Sequence, residues 1–142
     1  MGKYLLPLLL IFSMKASADF KSTDEVIKKL SAYTIADIDG DEQRLKDKKP
    51  LKIDEMFNDL EETNKYFETN KINEEAAREM ERVVLLTLLH DPSGFATELV
   101  YPVYSKNVDL FKKAAEKLHP YDRKVILQVL QGQKEAVEHG DG

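Results

Sequence analysis

Met80–His90, MERVVLLTLLH, is the stretch that decides the fold. Between Val83 and Leu89 only Thr87 is not a large aliphatic residue, so a stripe that begins one-sided at Met80 becomes apolar all round. A helix of that kind is buried on most sides. The run is too short to cross a bilayer, which takes about 20 apolar residues, and Arg78, Glu79, Glu81 and Arg82 lie before it. Burying a large aliphatic side chain contributes ~1.5–3 kcal/mol, while ordering a residue costs ~1.5 kcal/mol. The segment therefore holds only when other helices wrap it.

Working outward, Asn73 is suited to cap this helix, with Glu74 and Glu75 in its first turn, and Asp91-Pro92-Ser93-Gly94 stops it after His90. Thr87 is expected to bond a backbone carbonyl one turn back. Upstream, Ile53, Met56, Phe57, Leu60 and Phe67 form one helical stripe after Pro50, with Asn64 on the same face. Ser22 and Glu25 have capping-box spacing, and Val26, Ile27, Leu30 and Tyr33 follow as the stripe of a first helix.

Between these two lies the least regular stretch, acidic first (Asp37, Asp39, Asp41, Glu42) and then basic (Arg44, Lys46, Lys48, Lys49). It reads as a mobile charged loop near 37–50, or as a connection hiding one helical turn around Arg44–Lys46. Downstream, a short helix is expected from Phe95, broken near Pro102. Another follows with Val108, Phe111, Ala114, Ala115 and Leu118 inward. Pro120 suits the first position of a last helix that buries Val125, Ile126, Val129 and Leu130. Gly132 predicts a bend or fraying there, and the chain from Glu138 reads as a loose tail. The sum is an all-α single-domain bundle of five or six helices packed around a central helix near residues 74–90.

The N-terminus is expected to lie outside that domain. Lys3, the apolar run Leu5–Phe12 and Ala16-Ser17-Ala18 have the layout of a secretory signal peptide, residues 1–18, cleaved after Ala18. The remaining residues, 19–142, make one helical domain with no transmembrane segment. The chain has no cysteine, which excludes disulfides, thiol chemistry and cysteine zinc sites and favours a bacterial periplasmic or released protein. Loss of Lys3 and Lys15 moves the formal charge from −5 to −7, which gives no footprint for nucleic acid.

Chemistry-bearing residues are sparse. Asp37, Asp39 and Asp41 alternate like the first ligands of a calcium loop. The sixth position is then Glu42 where glycine is needed, and the twelfth is Lys48 where a bidentate glutamate is needed. Weak cation binding is the most this motif allows. His90 and Asp91, with His119, form a mixed metal or acid–base set only if two helix ends meet, and no spacing requires that. Histidine suits helix C-termini for dipole reasons alone. No cofactor motif and no nucleophile constellation occurs. The cations Arg44, Lys46, Lys48, Lys49 and Lys52 read as a charged loop, with docking on an anionic envelope surface or an acidic partner as the functional alternative. Phe95, Tyr101 and Tyr104 around Pro102 are the candidate ligand- or partner-binding residues.

The expected function is thus a non-enzymatic exported protein, periplasmic or secreted, that binds another envelope or extracellular protein and uses no cofactor. A helical carrier of an apolar small molecule comes second, motivated by the aliphatic excess at Val83–Leu89. A small metal-dependent hydrolase using His90, Asp91 and His119 comes third.

Overall fold

The computed structural model describes residues 20–140. The expected signal peptide and the end of the expected tail lie outside them. Among the described residues all regular elements are helical: α1 (Thr23–Ser31), α2 (Ile35–Asp39), α3 (Asp41–Lys46), α4 (Lys52–Thr69), α5 (Glu74–Leu88), α6 (Phe95–Lys106), α7 (Val108–Ala115) and α8 (Pro120–Glu138). Six of these have eight residues or more, and two short helices join them.

Helix α5 is the centre. It packs against α1, α2, α4, α6, α7 and α8. Asn73 starts it by accepting from the N–H of Ala76 at 2.8 Å, and Thr87 donates to the carbonyl of Val84 at 2.7 Å. Met80, Val83 and Val84 are fully enclosed with Leu30, Leu60, Phe111 and Ile126 from four other helices. Arg82 ties α5 to the end of α1, where its guanidinium donates to the carbonyls of Leu30 (2.7 Å) and Tyr33 (2.8 Å). The Leu30 carbonyl also accepts from the N–H of Tyr33 at 3.2 Å, and the arginine adds a charged donor at this helix end.

Three expectations need correction. The stretch near 37–50 is not an irregular loop, because α2 and α3 occupy most of it, and of the two readings the helical turn around Arg44–Lys46 is the one found, as part of α3. A capping box at Thr34 and Asp37 starts α2, and Gly40 links the two helices. A Cβ at position 40 would come within 2.9 Å of the Arg44 guanidinium, so glycine lets that side chain fold back. Helix α6 does not break near Pro102 but runs through it. Beside the proline, the carboxamide oxygen of Asn64, on α4, accepts from the N–H of Val103 at 3.2 Å and ties α6 to α4 there. Helix α8 also continues through Gly132 to Glu138 without interruption.

Candidate binding groove

Sequence reasoning placed a partner site on Phe95, Tyr101 and Tyr104, and the structure does not bring these into one patch. Tyr104 is 1% exposed and packs edge-on against Phe111, with ring centroids 5.6 Å apart. Phe95 lies nine residues earlier, half a turn around the helix, and packs against Phe57 of α4. Tyr101 is half-buried against the core. Burial of Tyr104 on the α7 side removes the aromatic cleft that the spacing suggested.

The candidate metal residues are also spoken for or apart. Asp37 accepts from the N–H of Thr34, and Asp39 is exposed. Asp41 accepts from Arg44, from the N–H of Lys52 (2.7 Å) and from the N–H of Ile53 (2.9 Å). It is the N-terminal cap that α4 lacks in its own sequence, since Leu51 offers no side-chain acceptor. Burial alone would raise its pKa, but the two N–H donors and the guanidinium outweigh burial and hold it below the usual carboxylate range. Asp91 accepts from the hydroxyl and N–H of Ser93 and the N–H of Phe95, which closes the turn before α6 and lowers its pKa. His119 does not finish a helix as expected: its Nδ1 accepts from the N–H of Tyr121 at the start of α8. His90 is exposed after the end of α5. Among the described residues no group of three or more His, Asp or Glu side chains is placed to hold a metal ion.

A feature that sequence reasoning missed is a groove of 610 Å³ between the start of α2, the end of α5 and the corner where α7 gives way to α8. Its floor and walls are mostly aliphatic, led by Leu85, Leu88, Leu118 and Val125. Thr34, Arg82 and Asp122 supply the polar edge. Three large apolar side chains stand on it in water: Ile35 (58% exposed), Leu89 (60%) and Tyr121 (69%). Leu89, the residue that caps the end of α5, lies one helical turn beyond Leu85, and Tyr121 and Val125 are likewise one turn apart on α8. Two helix faces thus lack a covering neighbour among the described residues. The apolar run that reads as buried all round is covered at Val83, Val84 and Leu86 and uncovered at Leu89.

On the polar edge of the groove, Arg82 is committed to the end of α1 and to Glu79. What the groove offers is apolar contact area with fixed polar edges, which is recognition chemistry. No helix among the described residues is long and apolar enough to cross a membrane. The chain matches no family model, no curated protein and no solved structure.

Proposed function

We propose that this is a non-enzymatic, exported protein that acts by binding, and that its groove receives an amphipathic helical segment of another envelope or secreted protein. The carrying observation is the pair of incomplete helix faces, Leu85/Leu89 and Tyr121/Val125, with exposed apolar side chains on the rim. A gap between two helices is filled by ridges of a third helix packing into their grooves. An occupant with an apolar face at i, i+3, i+4 and i+7 would cover Ile35, Leu89 and Tyr121 as well as the floor. Localisation outside the cytoplasm rests on the layout of residues 1–18 alone.

A photo-crosslinking residue at position 89 or 121, introduced in the full chain and activated in whole cells, tests this. The expected result is one protein joined at both groove positions, absent from a control at exposed Glu61 and lost with Leu85→Asp. The same products from all three positions, or none from the groove, count against it.

A second reading has its own support. The groove is mostly apolar, and 610 Å³ falls within the size of small-molecule sites. Solvent extraction of the purified protein, followed by mass spectrometry, checks whether a stoichiometric lipid or other apolar molecule leaves with Leu85→Asp.

A further inference from the structure

Helix α3 ends in a tight turn in which the N–H of Lys49 reaches the carbonyl of Arg44 (2.8 Å) and the N–H of Lys48 reaches that of Leu45 (3.2 Å). This is the Schellman pattern, and the residue that makes it is left-handed. Here that residue is Lys48, with φ 55°, at a place where glycine or asparagine is the comfortable choice. The turn is firmly mounted. Arg44 faces inward and donates to the carbonyl of Asp37 and to Asp41, both at 2.7 Å, while Asp41 caps α4. Its outer side carries Leu45, 67% exposed, together with exposed Lys46, Lys48 and Lys49. Lys46 has a loose exposed pair with Glu42 at 3.6 Å. Lys48 and Lys49 have no ion-pair partner among the described residues. Residues 44–49 hold four cations and one acid in a chain whose formal charge is −5.

We propose that this corner docks on an anionic lipid surface, with Leu45 entering the headgroup boundary and Lys46, Lys48 and Lys49 meeting the phosphates. An isolated apolar side chain among exposed lysines, two of them without an ion-pair partner among the described residues, suits such an interface, where apolar burial and attraction to anionic lipid act together. An acidic peptide fits less well, because the depression beside Leu45 is lined by Asp41 and Glu42 and would repel it. A planar surface touches the lysine tip without entering that depression. The residues are separate from those of the groove, so the two readings stand or fall independently.

The test is co-sedimentation of the mature chain with vesicles of pure phosphatidylcholine and with vesicles containing phosphatidylglycerol. Binding is expected only to the second kind, and it should fade as salt is raised. Each lysine near the surface is worth about fivefold in partitioning. Lys48→Asn with Lys49→Gln should therefore weaken binding about 25-fold, asparagine being tolerated in the left-handed position. Leu45→Ser should weaken it further, and Leu89→Asp in the groove should leave it unchanged. Equal binding to both kinds of vesicle, no binding to either, or indifference to the lysine changes overturns the proposal. So does preferential binding of a soluble acidic helical peptide that competes the vesicles away.

Discussion

Asp41 and Glu81 are both carboxylates withdrawn from water, 4% and 1% exposed, and they behave in opposite ways. Asp41 is met by two backbone N–H groups and a guanidinium, and its pKa falls. Glu81 sits inside α5 with neither carboxylate oxygen hydrogen-bonded to any described residue. Burial pushes its pKa up to about 8, against weak opposition from Arg78 one turn earlier. Burial disfavours the charged form in both places, so the number of donors decides the sign. One carboxylate organises the start of a helix as an anion, and the other is tolerated in the core as a neutral acid.

The largest effect is expected from removing the odd member of the pair. The folded chain holds the Glu81 proton up to about pH 8, whereas the unfolded chain releases it near 4.5. The folded state therefore loses stability as pH rises between those values, by up to about 1.4 kcal/mol per unit. Glu81→Gln keeps the shape without the ionisation. It should match the wild type at pH 4 and exceed it at pH 8 by roughly 4 kcal/mol in denaturant unfolding. A parallel pH dependence in the two proteins would mean that Glu81 has a partner or reaches water.

Asp41→Ala attacks the other side of the comparison. It strips acceptors from the N–H groups of Lys52 and Ile53 and leaves Arg44 without its carboxylate. The expected loss at pH 7 is about 3 kcal/mol, from a helix cap plus a partly buried charge pair. The sign with pH is opposite to that of Glu81. The stabilisation from Asp41 is present above its ordinary pKa of 3.8 and disappears as pH falls through its lower folded value. The gap between variant and wild type should narrow in acid, and Asp41→Asn should recover part of the loss.

These two residues also show what a one-dimensional reading can reach. The central helix was legible because Val83–Leu89 leaves little polar face, and its start was legible because Asn73 and the two glutamates form a local signal. Asp41 was read as part of a solvated acidic turn with at most weak cation binding, and its capping role was missed because the two N–H groups it receives lie eleven and twelve residues away across a turn. One clue was present: α4 begins after Leu51, which offers no capping group, so a cap had to come from elsewhere. Glu81 was noted only as one of the charges ahead of the apolar run, although it falls on the same stripe as Ala77, Val84 and Leu88. The groove was the least legible feature. Leu85, Leu89 and Tyr121 look like core residues in any periodicity, and only the packing of α2, α5 and α8 shows that nothing among the described residues covers them.

Asp59 lies between the two extremes and gives the smallest, most diagnostic effect. It is 6% exposed and accepts one strong hydrogen bond, from the Tyr33 hydroxyl at 2.5 Å, with Lys29 further off at 3.7 Å. Burial raises its pKa more than the tyrosine and lysine lower it, so one donor does not do what three do for Asp41. Tyr33→Phe should move Asp59 toward the condition of Glu81. Stability is then unaltered in acid, where the carboxyl is protonated in both states, and falls by about 1–2 kcal/mol at pH 7. Lys29 remains held by Glu55 at 3.0 Å and keeps the loss modest. A deficit that is the same at pH 3 and pH 7 would trace the effect to lost packing of the hydroxyl instead. It would then be the count of donors, and not burial, that fails as the ordering principle for Asp41, Asp59 and Glu81.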